Sequence, residues 1–326
     1  MKNKQPALIF LFFLLNTLVF ANKQPEVSFY VEPSAGLTNG TIVENVWYVH
    51  TTTTPQTITL TPVAKESRLD WQLQNLPFID FTFGMGFDKK VEFTFSFYNT
   101  FTGAFGVMED YDWLNPLKWP DDPPDELTNY SRHTNIIKNF TRVRFLAGYN
   151  FFLNKIPLSI TPNFGIISQS FVFSGFGGYK KYKSNNWEVN NFSDRDVITY
   201  KQCFFSPVLL LNTTFDIKYF TASLDLSASF IKKLDCYDTH HERSNYFNDR
   251  IENAWLLEAC IKAFYKITQK NKIGIKANCE FIPDAYGFTY DSTVSFENLA
   301  KEPGTGSLGG TNRFLFSYAL VYQHRF

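Results

Sequence analysis

The chain is predicted to be all-β, a ten-stranded antiparallel up-and-down β-barrel that crosses an outer membrane and carries long extracellular loops. Three observations lead there: an export-type N-terminus with no later apolar run, an aromatic-rich but slightly polar composition, and strict two-residue alternation along many segments. Lys2 and Lys4 precede a stretch, Ala7 to Phe20, that is apolar apart from Asn16 and Thr17, and Val19-Phe20-Ala21 suits a signal peptidase. Residues 1–21 are therefore expected to be a signal peptide and residues 22–326 one mature domain. A single spanning helix is the competing reading, but the run is shorter than the ~20 residues that cross a bilayer.

After Ala21 no comparable run follows, which excludes a helical membrane protein and leaves a soluble exported enzyme as the alternative. The composition argues against it. With 36 Phe, 17 Tyr and 6 Trp the chain is 18% aromatic, yet its mean hydropathy is −0.20. Aromatic and β-branched residues interleaved with polar ones are what a sheet with one greasy face requires. Formal charge is balanced, 31 basic against 31 acidic residues, so nothing points to a nucleic-acid partner. Cys203, Cys236, Cys260 and Cys279 match no metal or redox spacing. Cys260 and Cys279 are expected on opposite faces of neighbouring strands, and free, strand-packed thiols are the simplest reading.

Alternation is clearest from Phe220 to Phe230, where even positions read Phe, Ala, Leu, Leu, Ala, Phe and odd positions from Thr221 to Ser229 read Thr, Ser, Asp, Ser, Ser. At the C-terminus Phe314, Phe316, Tyr318, Leu320, Tyr322 and Phe326 share one face, and the terminal Phe resembles the insertion signal of bacterial barrel proteins. The same pattern predicts strands at 27–49, 66–87, 90–107, 135–152, 158–182, 197–216, 219–238, 252–268, 271–292 and 310–326. An even count is what a single-chain bacterial barrel needs. Connections alternate between tight turns, at 87–90, around Asn154-Lys155, at 216–218 and at 269–271, and long polar loops. All long loops therefore gather at one end, expected to face outward with the chemistry. Pro116 to Pro124 reads as loop.

Two clusters sit at long-loop strand tips: Glu109-Asp110-Tyr111-Asp112-Trp113, and Asp235-Cys236-Tyr237-Asp238-Thr239-His240-His241-Glu242. In extended backbone residues two apart share a face, so Asp110 sides with Asp112 and Asp238 with His240. That arrangement suits hydrolysis by an activated water, with His240 taking the proton, Asp238 stabilising the imidazolium and the opposing Asp pair, largely ionised near neutrality, holding the water. Solvated loop charges are the plain alternative, and metal binding by Asp110, Asp112, Asp238, His240 and His241 is another.

At these residues the chain resembles the omptin family of outer-membrane proteases. Asp110-Tyr111-Asp112-Trp113, preceded by Met108, is similar to the family's Asp-x-Asp-Trp, and Asn115-Pro116 with Trp119 to its Asn-Pro-x-x-Trp. Ser131-Arg132-His133 repeats its Ser-Arg-His, Asp238-Thr239-His240 its Asp-x-His, and Ser67-Arg68-Leu69-Asp70-Trp71 resembles Ser-x-Leu-Asp-Trp. The resemblance implies a ten-stranded barrel endopeptidase without cofactor or metal, with Asp110, Asp112, Asp238 and His240 as catalytic residues. It further implies substrate contacts at Glu44, Met108, Cys236, Ser131 and His133, with Glu44 in the pocket for the side chain before the scissile bond. Partners implied are polypeptide substrates and outer-membrane lipid, lipopolysaccharide among it; lipopolysaccharide dependence itself is not carried over, because its ligands are not matched. A monomer is expected. The chain departs from the pattern at Cys236, where basic-specific members carry a second acid, although Asp235 adjoins it, and at Asn129. A catalytically silent barrel serving as adhesin or receptor is the alternative from another class, and a general porin fits least, because ten strands leave a narrow lumen.

Overall fold

The structure, a computed structural model, describes residues 26–53, 58–113, 126–153, 156–301 and 307–326. The expected leader, the Pro-rich loop with the Asn115-Pro116 and Trp119 motif, and Asn154-Lys155 lie outside the described residues. Among the described residues thirteen strands form: β1 (Val27–Thr53), β2 (Ile58–Phe87), β3 (Val91–Thr100), β4 (Gly103–Asp112), β5 (Asn129–Tyr149), β6 (Phe151–Leu153), β7 (Leu158–Tyr182), β8 (Asn190–Asn191), β9 (Asp196–Asp216), β10 (Phe220–His240), β11 (Asn245–Lys266), β12 (Asn271–Ser292) and β13 (Ser307–Arg325). Every pairing is antiparallel, and β1 closes on β13. β3 and β4 together form one stave between β2 and β5, β6 prolongs β5 along β7, and β8 is a two-residue addition to β7. The closed ring therefore has ten staves, as alternation predicts.

The greasy faces point outward. Phe83, Phe95, Phe145, Phe164, Leu209, Leu226, Trp255, Ile261, Ile275, Phe314 and Leu320 are all exposed, and together they girdle the barrel as an outward apolar band does in a transmembrane barrel. The interior inverts the usual core. At the depth of this band Arg142 bonds Glu258 at 2.8 Å and Glu280 at 3.0 Å, Arg313 bonds Glu280 at 2.8 Å, Lys262 bonds Glu32 at 2.6 Å and Lys276 bonds Asp80 at 2.5 Å. Above that charged layer Trp71, Phe173, Tyr200, Ile42, Leu69 and Met108 form an apolar plug. Trp71 stacks on Tyr200 with ring centroids 5.8 Å apart. The apolar plug closes the lumen above a polar cavity lined by Glu32, Asp80, Arg142, Glu258, Lys262 and Lys276, so the porin reading finds no support in it. All four cysteines are free, and Cys260 is buried toward the interior while Cys279 pairs with outward-facing positions.

Several staves run past their predicted ends. β1 reaches Thr53 and β2 starts at Ile58 across what reads as loop, β5 starts at Asn129 and not 135, β10 reaches His240, and β11 starts at Asn245 and not 252. Above the membrane both faces of a strand meet polar surroundings, so the alternation that marks a strand fades while the ladder continues. The third predicted strand is also broken, at Phe101-Thr102, and continues to Asp112. The cause is a bulge: the register against β5 shifts between Ala104 and Val107, and Gly106 sits at φ +152°. A Cβ at Gly106 would stand 1.9 Å from the Gln72 carbonyl oxygen, so glycine alone fits this re-aiming of the strand. Gly106→Ala is expected to cost about 1–3 kcal/mol of barrel stability, read as a lower urea midpoint in refolding from detergent.

Candidate functional site

Beyond the bulge, β4 turns Met108, Asp110 and Asp112 toward the barrel axis at the end opposite the tight turns. Asp110 lies beside Leu69 on β2 and Ser131 on β5, and Asp112 beside Ser67 and Asn129. The Asn129 Nδ2 donates to Asp112 Oδ2 at 3.3 Å. His133 is buried; its Nδ1 stands 2.5 Å from the Gly177 carbonyl and its Nε2 2.8 Å from Ser131 Oγ. A carbonyl only accepts, so Nδ1 carries the proton and the Ser131 hydroxyl donates to Nε2. Burial lowers the imidazole's pKa, which keeps this histidine neutral as an anchor for Ser131. Met108 is wholly buried; it belongs to the floor beneath the groove.

On the far side, β10 brings Asp238 and His240 inward. His240 Nε2 lies 2.6 Å from Asp238 Oδ2, which leaves Nδ1 as the ring nitrogen not engaged by that carboxylate. Asp110, Asp112, Ser131, His240 and Arg243 line one cavity, so the two pairs on β4 and β10 face each other across the mouth. His241 does not join them: its ring bonds the Thr199 hydroxyl at 2.8 Å on an exposed surface. Among the described residues no group of three or more His, Cys, Asp or Glu is arranged to hold a metal.

Asp238 and His240 stand clear of the apolar band, eight and ten residues past the exposed Phe230 on β10, and Asp110 and Asp112 share their cavity with His240. Their electrostatics follow from burial. For His240 burial opposes the charged form, but the adjacent Asp238 carboxylate, its hydrogen bond and the Asp110 charge outweigh that, and the pKa rises. Asp110 is pushed well above the carboxylate range by burial first, then by Asp112 and Asp238. Asp112 is also raised by burial, against its bonds to Ser67 and Asn129. Burial and mutual proximity thus hold both carboxyls above their ordinary range, against the expectation of a largely ionised pair.

Below and beside this groove lie Glu44 on β1 and Cys236 on β10, 3% and 2% exposed. Gln202 Nε2 donates to Cys236 Sγ at 3.4 Å and to Thr311 Oγ1 at 3.2 Å. Burial, aided by Asp249, pushes the thiol up, so it stays neutral. Asp235 cannot stand in for an acid at 236, because it faces the outer surface, where Lys233 holds it at 2.9 Å. Sequence reasoning missed Asp249 on β11, which is 4% exposed and directly opposite Cys236. Counting outward from the turn at 241–244 would have paired the two positions, had that turn been placed.

A closed ring of ten antiparallel strands, apolar outside and acid-lined at one mouth, defines an outer-membrane β-barrel protein. The chain belongs to the Omptin family, whose model matches residues 30–302. No curated protein matches it. Among solved structures it is similar to the outer membrane protease OmpT from Escherichia coli, with a TM-score of 0.77 and 17% identity, covering 92% of this chain and 97% of that one. The translocator domain of the autotransporter NalP from Neisseria meningitidis matches at a TM-score of 0.35 and 8% identity, covering 96% and 94%.

Proposed function

We propose that this protein is an outer-membrane endopeptidase that hydrolyses peptide bonds near basic residues in a groove open to the outside, with polypeptides as its substrates. The observation that carries the reading is His240, held 2.6 Å from the Asp238 carboxylate and lining one cavity with Asp110 and Asp112. His240 takes a proton from a water held against the Asp pair, and the oxygen attacks the scissile carbonyl carbon. Asp238 stabilises the imidazolium that forms. The same proton then passes to the departing amine as the C–N bond breaks, giving a carboxylic acid and a free amine with no covalent intermediate.

The test is cleavage of a peptide library with Arg and Lys at varied positions by the mature chain refolded with outer-membrane lipid. A correctly folded barrel that cleaves nothing across a wide pH range would favour the receptor reading. Because the base must be neutral and its pKa lies above the usual 6.5, kcat/KM is expected to rise with pH through a midpoint above that value. A rate that climbs as pH falls below ~5 would contradict the role of His240. Orientation is tested separately: a tag between Thr293 and Val294 should be labelled on intact cells, and one at Lys270 should not.

A further inference from the structure

The barrel treats its buried acids in two ways. Deep inside, Glu32, Asp80, Glu258 and Glu280 each hold a lysine or arginine. At the mouth, among the described residues, neither Glu44 nor Asp249 makes an ion pair. Glu44 Oε2 is buried without a hydrogen-bond partner, while Trp71 faces the carboxyl and favours its charged form without reaching bonding geometry. The charges that Glu44 feels most are those of Asp238 and Asp249, so the two pocket acids share one region under the catalytic pair. Asp249 is held in place: Thr289 donates to its Oδ1 at 2.7 Å. Space is made for it as well, since a Cβ on Gly309 would stand 1.9 Å from its Cγ.

Uncompensated buried carboxylates are costly, and here the fold keeps them grouped, oriented and free of internal cations. We infer that Asp249 is the second acid of the pocket for the basic side chain before the scissile bond, taking from across the hairpin the place left uncharged by Cys236. The inference rests on the protease reading for the pocket's position along the substrate, but the cation site itself does not need catalysis. Burial holds the Asp249 carboxyl up to about 7, so the empty pocket stores protons that an incoming guanidinium or ammonium displaces. A neighbouring strand has supplied the charge without moving the catalytic Asp238.

The experiment uses the full mature chain folded in detergent and lipid, with agmatine as the cationic probe and paired peptides carrying Arg or Leu before the cleaved bond. Wild type is expected to bind agmatine and to release protons at pH 6, read by calorimetry in buffers of different ionisation enthalpy. Asp249→Asn, which can still accept from Thr289, should weaken agmatine and lower kcat/KM on the Arg peptide by about 10- to 100-fold, as loss of one charge-assisted contact does, with the Leu peptide little changed. Adding Cys236→Asp to that variant should restore the preference. If Asn is not tolerated, Asp249→Ser makes the same comparison. Unchanged agmatine affinity together with an unchanged Arg-to-Leu ratio in the folded variant would overturn the inference, as would failure of wild type to bind agmatine. A barrel that binds agmatine through Asp249 but cleaves nothing would sink the protease reading and leave this site standing.

Discussion

His240→Ala is expected to lower kcat/KM by about 10²- to 10⁴-fold, the range lost when a positioned general base is removed. The expectation follows from its 2.6 Å bond to Asp238 and its place opposite Asp110 and Asp112 in one cavity. The barrel should still form, because the ring lies above the apolar plug and contributes to no strand pairing through its side chain. KM should change less than kcat, since the imidazole acts on the water and not on the substrate's side chains. Asp238→Asn is the companion: it keeps the shape but withdraws the charge that raises the imidazole, so the residual activity should shift its pH midpoint downward. Equal loss of binding and turnover in a folded His240→Ala barrel would show that the ring positions substrate.

The second large effect is on stability. Trp71→Ala should cost about 3–5 kcal/mol, the usual result of deleting a wholly buried large aromatic side chain. Trp71 is 0% exposed, stacks on Tyr200, and lies 6.1 Å from Phe173, ring to ring. The void would open directly beneath Glu44, so preference for basic side chains should fall along with the urea midpoint. Trp71→Phe, which leaves a smaller hole, should recover most of the stability. Retention of the full urea midpoint by the alanine variant would mean that the paired charges of the lumen, with Arg313 and Glu280 at their centre, carry the barrel without the plug.

The ten staves were legible because a membrane enforces period two: each crossing segment must be greasy at every second position, as Phe220 to Phe230 is. The acid and histidine pairs were legible for a related reason, since two-residue spacing in extended backbone already places Asp110 with Asp112 and Asp238 with His240 on shared faces. The strand ends above the membrane were not, because at Asn129 or Asn245 neither face is dry and alternation loses its meaning. Nor does sequence reveal which position faces which across the ring. Only closure of the sheet decided that the β4 and β10 pairs meet over one cavity, that Gly106 alone fits against Gln72, that Asp235 points away from the groove, and that Asp249 stands opposite Cys236. Side-chain periodicity is local to a strand and written in the chain. Register and proximity are set by hydrogen-bonded ladders between distant segments, and they exist only once the barrel has closed.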